Sequence, residues 1–378
     1  MLAAGVLPFS LDSRCHDVIG IVCHLMQTAA QLSTWLEQMT RSGRIWLRYD
    51  LRPALPMKRT LSFLFALIVP AHAEAPPELP LPVASFGAAA DLSSVFIYGG
   101  HSGVRHKYNR EEVHGTLHHW QAGTKVWELL AAHEPAQGAS LIATDKGVIR
   151  IGGMAARNEK GAKQDLWSSD TAVRYDLADK AWHPLPKLPQ RRSSHDSALV
   201  GNQLYVIGGW ALMGGSDLLW HDTYLTLDLH QTDATWQSHS QPFERRALAV
   251  QALGTRLYAI GGMDSDEEIT TAVSVLDTIS GQWSDGPALP QDKLGGFGFA
   301  AVAHEGRLFA SGAVGVLLEL RGNAWVSIAR LEHPRFFHRL LSGGTGKLIA
   351  LGGENKEGRK TPPEVIVLPA ADSEPLIE

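Results

Sequence analysis

The chain has 378 residues, 44% of them hydrophobic and 19% charged, with a formal net charge of −5. That composition excludes a disordered chain and a disulfide scaffold, since it holds two Cys and enough apolar residues for a substantial core. Its 37 Gly, 20 Pro and 11 Trp argue for many tight turns and many large packing rings, as in a turn-rich β architecture.

In chain order, the first signal is a processing segment. Met57-Lys58-Arg59 is a short basic region, Leu61 to Val69 is apolar apart from Ser62, and Ala71-His72-Ala73 offers small residues at the cleavage-determining positions. The pattern predicts a signal peptide at 57–73, cut after Ala73, and a periplasmic or secreted protein. Two readings of residues 1–56 stand side by side: a start codon assigned too early, or an amphipathic segment in which Val18, Ile21, Val22, Leu25, Ala29 and Leu32 have near-helical spacing. Residues 1–73 hold seven Lys/Arg against four Asp/Glu, so 74–378 carry 27 basic and 35 acidic side chains, a net charge of −8. That charge disfavours nucleic acid as a partner. Cys15 and Cys23 leave with the leader, and no membrane span is expected in the mature chain.

From Glu74 onward the chain repeats. Strand-like runs end at paired glycines in VFIYGG, VIRIGG, LYVIGG, LYAIGG and LIALGG, and at Gly312-Ala313 in LFASGA. Their first glycines fall at 99, 152, 208, 261, 312 and 352, about 51 residues per copy over 74–378. The first five copies carry a later tryptophan, at Trp127, Trp182, Trp236, Trp283 and Trp325, and turn signals such as Gly201-Asn202 and Ser280-Gly281 divide each copy into four short strands. The sequence here resembles the kelch-repeat β-propellers, and the resemblance covers 74–378. It implies an all-β, six-bladed propeller.

Proline-bearing tails follow Trp182 and Trp283, and a similar stretch, Pro77-Glu78-Leu79-Pro80-Leu81-Pro82, precedes the first blade. Since the strand Val365 to Leu368 has no successor, the ring is expected to close by the N-terminal segment pairing with the C-terminal blade.

The spacing from each first glycine to its Trp varies from 13 to 30 residues, whereas Trp to the next glycine varies only from 25 to 29. Variable loops on a constant scaffold mark the glycine face as the recognition face. It gathers His101, Arg105, His106, Tyr108, Arg157, Asn158, Trp210, His221, Glu354 and Arg359 after the glycines, and Arg192, Ser194, His195, Arg245, Arg246, Arg335 and His338 before the first strands. Arg192 and Arg245 lie sixteen residues before their diglycines and Arg335 lies seventeen before Gly352. This recurrence has two readings: three guanidinium forks clamping an anionic ligand, or a repeat-bound arginine paired with backbone.

No cofactor is expected. The five histidines between 101 and 119 lack a tight metal-ligand spacing. Copper-radical chemistry of the galactose oxidase kind needs a Cys that 74–378 lack. Two functions follow. The first is a ligand-binding module for a glycan or a protein segment. The second comes from resemblance to the periplasmic N-acetylneuraminate mutarotase family, whose members carry a Glu after a glycine and then an Arg; Gly353-Glu354 and Arg359 look similar. That resemblance implies Glu354 or His195 as acid/base.

Overall fold

The computed structural model describes residues 75–378, apart from 92, 216, 291–294, 372, 377 and 378. The leader expected at 57–73 and the segment 1–56 lie outside the described residues.

Among the described residues six antiparallel blade sheets succeed one another along the chain, with three two-stranded ribbons in the loops between their strands, and every regular element is a strand. The first five have four strands each: Gly87–Ala90 to Glu128–Ala132, Ser140–Thr144 to Ala181–Pro184, Asp196–Val200 to Gln237–Ser240, Ala249–Leu253 to Gln282–Asp285, and Ala300–His304 to Ala324–Arg330. The sixth has three, Arg339–Ser342, Lys347–Leu351 and Glu364–Val367. Each sheet is one blade of the propeller. Successive blades share apolar clusters, such as that of Ile260, Val273 and Leu289 with Leu308, Ala310 and Trp325. Burying both faces of every sheet in this way explains the apolar runs that precede the glycines.

The diglycines work as backbone hinges. In five copies both glycines have positive φ; Gly312 and Ala313 do not, which is why a Cβ is tolerated in the fifth copy at 313. Gly312 is held for space instead, because a Cβ there would collide with the Phe299 ring.

Two devices close the ring. The first is a backbone circuit. Ser85, Gly138, Ser194, Ala247, Gly298 and Phe337, each two residues before a first strand, all adopt φ between 53° and 63°. The N–H of each donates to the carbonyl of its predecessor at 2.6–3.0 Å, and Ser85 donates to Phe337, which completes the circle. Four of these six are not glycine, a conformation costing about 1–2 kcal/mol each that the surrounding bonds must sustain.

The second is Arg339, on the innermost strand of the last blade. Its Nε donates to Phe86 O at 2.8 Å, Nη2 to Ala139 O at 3.3 Å, and Nη1 to Asp196 Oδ1 at 3.3 Å. The other Asp196 oxygen accepts the Val250 N–H at 3.0 Å, so one ion pair joins the sixth blade to the entrances of the first four.

The expected closure by the N-terminal segment requires correction. Among the described residues the sixth blade stays three-stranded, and 76–82 form no strand with it. The segment instead packs Leu79 and Leu81 with Ile349, Leu351 and Val365 of that blade. It takes the place of a blade's exit tail: the Trp127 indole N–H donates to Pro77 O at 3.1 Å, as Trp236 does to Pro186 O at 2.7 Å and Trp325 to Pro287 O at 2.8 Å. Each proline removes a ladder donor, so these tails end their sheets and dock through carbonyls. Trp127→Phe keeps the ring and loses the bond; urea unfolding is expected to show a loss of about 1 kcal/mol.

Candidate functional site

A cavity of about 400 Å³ opens on the glycine face, and its floor is the backbone circuit. Below the circuit lies a chamber of about 60 Å³ reached by Arg339. Ser85, Gly138, Ser194, Ala247 and Phe337 line both, so the circuit lies between them.

The residues before the first strands divide by strand alternation. Arg192, Arg245 and Arg335 are buried and turned into the blades. Nη1 of each donates to the first glycine carbonyl of the coming diglycine, at 2.8, 3.1 and 3.2 Å, and to a second carbonyl at Thr223, Ala272 or Pro362, at 2.8, 2.8 and 2.7 Å. The sixteen- and seventeen-residue spacing is thus the reach of a pin that fixes the second strand's end to the start of the third. Burial lowers the Arg192 guanidinium to about 9 and Arg245 to about 10, with Asp222 and Asp264 respectively opposing the shift. The three arginines do not converge, and none lines the cavity.

Neighbouring positions face the other way. Arg246 and Phe336, one residue after their pins, and Ser194, Ala247 and Phe337, two after, line the cavity. His195 and His338 lie beyond the circuit, lining the lower chamber. Their Nε2 atoms bond Ser140 Oγ at 3.3 Å and Ser311 Oγ at 2.9 Å, and burial depresses both imidazoles far below the ordinary histidine range. They are neutral packing groups at neutral pH, and the circuit separates His195 from Glu354.

Glu354 lies on the cavity wall, 3% exposed. Its Oε1 accepts from Arg105 Nε at 2.6 Å and its Oε2 from Lys360 Nζ at 2.7 Å. Burial pushes the carboxyl up, but Lys360 and Arg105 together outweigh it and hold the pKa below the usual value. Arg359, expected as a ligand-binding residue, is exposed and closes the hairpin through Asn355, whereas Lys360 bonds Glu354.

Four of the other expected residues also line the cavity: His101, His106, Tyr108 and Trp210. His101 meets Tyr108 edge-on with ring centres 4.9 Å apart, and burial lowers its pKa to about 4. Burial also raises the Tyr108 hydroxyl, with Glu354 adding to the shift and Arg246 and Arg105 opposing it. Arg157 stacks over Trp167 at 4.2 Å, while Asn158 donates to Tyr108 O at 2.9 Å; they stand behind the rim. His221 is buried, with Nε2 2.9 Å from Arg191 O, and serves the scaffold. Lys360, Gln137, Phe297, Phe336 and Phe337 are wall residues that sequence reasoning missed. A usable signal existed for Phe336 and Phe337, which lie between Arg335 and His338. Among the described residues, no group of three His, Cys, Asp or Glu is placed to hold a metal ion.

A six-bladed propeller with an axial pocket above a strained backbone circuit defines the class. Residues 94–313 match the KLHDC2/KLHL20/DRC7 Kelch-repeats domain, and the chain belongs to the kelch-repeat family. It is 26% identical to Kelch-like protein 40 of Xenopus laevis over 249 residues, which is 62% of this chain and 39% of that protein. With Beta-scruin of Limulus polyphemus it shares 23% identity over 210 residues, 53% of this chain and 21% of the relative. The chain therefore spans well under half the length of these relatives. Among solved structures, YjhT superposes with a TM-score of 0.64 at 17% identity, covering 81% of this chain and all of the other, a likeness of fold.

Proposed function

We propose that this protein is an exported ligand-binding propeller that takes a glycan or a protein segment at the axial cavity. The observation that carries the reading is the cavity itself: about 400 Å³, within the range of small-ligand sites, walled by side chains from several blades and floored by strained backbone. That volume admits one sugar ring or one or two side chains of a segment. Export rests on the leader pattern at 57–73.

Glycan and peptide arrays probed with the full chain and with Ile269→Trp test the site. Ile269 lines the cavity and is half-buried, so the added ring fills space without entering a blade. Array signal is expected to fall at least tenfold in the variant; an unchanged signal removes the cavity from the reading. N-terminal sequencing of the secreted protein tests export, and a first residue well before Glu74 argues against the leader.

A mutarotase-like sugar epimerase is the second reading, favoured by Glu354 standing on the cavity wall after its diglycine. With Glu354 held ionised by two cations, the acid would have to be another group, and His101 with its pKa of about 4 is a poor one at neutral pH. NMR of freshly dissolved N-acetylneuraminate separates the readings: unchanged anomer exchange leaves binding alone.

A further inference from the structure

The cavity's polar groups are unequal in a way that names a ligand. Its carboxylate, Glu354, is already matched by two cations. Its remaining cation is not matched. Arg246 makes no ion pair among the described residues; its Nη2 faces only the Met263 sulfur at 3.0 Å, and its Nε is buried without a partner. The guanidinium lies over Trp210 at 4.1 Å, with Trp220 and Phe297 further out, which fixes its plane. A thioether is a weak acceptor, so this is an oriented fork awaiting an anion.

Other donors around it are in the same condition. The Trp210 indole N–H and the Gln137 Nε2 are buried without acceptors, and both residues line the cavity. Gln137 is 2% exposed, so bulk water does not satisfy it. A native fold seldom leaves several buried donors unmatched in one place. Much of the remaining wall is carbon: Met154, Met263, Ile269, Phe297, Phe336 and Phe337.

We propose that the axial cavity binds a small carboxylate with an aromatic or branched-alkyl body, its carboxylate on Arg246 and its body on the phenylalanine wall. An unpaired guanidinium beside an apolar wall suits an anionic ligand with a carbon body. A polyhydroxylated ligand brings O–H donors that need acceptors, and those buried against the phenylalanines would lose their hydrogen bonds to water. This inference rests on the cavity being the ligand site of the proposed function, but names a small carboxylate in place of the glycan or protein segment given there.

Calorimetric titration of the full chain with 3-phenylpropionate, 3-phenylpropan-1-ol and N-acetylneuraminate tests it. Phenylpropionate is expected to bind, with the alcohol and the sugar acid each at least tenfold weaker. Arg246→Gln is expected to weaken phenylpropionate at least tenfold; should that variant not fold, Arg246→Lys, which keeps the charge without the planar fork, is expected to lose at least threefold. No binding of phenylpropionate overturns the proposal, as does an affinity that Arg246 variants leave unchanged. N-acetylneuraminate binding more tightly, and lost in Ile269→Trp, overturns the ligand class while the cavity stands. Binding that survives Ile269→Trp overturns both.

Discussion

Arg339→Met is expected to destabilise the protein by about 3–5 kcal/mol, measured by urea unfolding, because it removes one partner of a buried ion pair and leaves the other. Arg339 and Asp196 are 22% and 10% exposed as side chains, so solvent screens the pair only in part. The substitution also orphans the carbonyls of Phe86 and Ala139, which belong to the entrances of two further blades. Asp196→Asn combined with Arg339→Met is expected to recover part of the loss, since no uncompensated charge then remains. The pH dependence has a definite sign. Burial raises the Asp196 carboxyl above its ordinary value even with Arg339 and two backbone N–H groups lowering it. An acid whose folded pKa is raised binds its proton more strongly when folded, so its contribution to stability is full at low pH and is lost as pH rises through the folded pKa. Without Arg339 the folded pKa rises further. The deficit of Arg339→Met is therefore largest at neutral pH and shrinks on acidification through that value, while Arg339→Met with Asp196→Asn shows no such recovery.

This pair also marks where sequence reading stopped. The blades were legible because they repeat: six glycine runs and five tryptophans announce the same unit, with 25 to 29 residues from each Trp to the next glycine. The exit tail was legible for the same reason, since Pro77 to Pro82 looks like the tails after Trp182 and Trp283; its docking on an indole N–H, rather than as a fourth strand, depends on how little ladder a proline-rich segment can form. Arg339 and Asp196 do not repeat. They occupy the first position of the innermost strand, where the other blades carry Gly87, Ser140, Ala249 and Ala300, and they meet only because blades three and six are opposite in a ring of six.

Within the candidate site, the recurrence of Arg192, Arg245 and Arg335 allows an anion clamp or pairing with backbone, and their bonds to carbonyls fit the second. A strand turns successive side chains to opposite sides, so Arg245 enters the blade and Arg246 enters the cavity. Spacing identifies a shared role, and the shared role of Arg192, Arg245 and Arg335 is a structural one. Two residues that give the cavity its character, Arg246 and Phe336, stand at the next position, where the third blade has Ser193 bonded to Ser168 outside the cavity. The Arg105–Glu354 contact spans 249 residues and closes the first blade's loop on the sixth, a juxtaposition that no local pattern carries.

Of the three pins, Arg335 is expected to be the costliest to remove, with Arg335→Met losing about 3–5 kcal/mol. Arg192 and Arg245 bond carbonyls and a hydroxyl, whereas Arg335 also pairs with Glu364 at 3.0 Å, and its side chain is 0% exposed. Glu364 is the first residue of the last strand, and its carboxylate in turn accepts the Glu332 N–H at 2.6 Å. In a four-stranded blade the third strand is held on both edges. Here Glu364–Val367 has one ladder neighbour among the described residues, so the guanidinium supplies part of what a fourth strand would. The substitution is therefore expected to act locally before it acts globally: amide exchange should quicken first in 364–367 and in the hairpin that carries Glu354 and Lys360, with the third and fourth blades still protected. Arg335→Lys keeps the charge but cannot reach Gly352 O, Pro362 O and Glu364 with one planar fork, and should fall between wild type and Arg335→Met. Arg245→Met, which breaks no ion pair, should cost less and leave exchange in 364–367 unchanged. Equal losses for Arg245→Met and Arg335→Met would show that the pin alone, and not the missing strand, sets the cost.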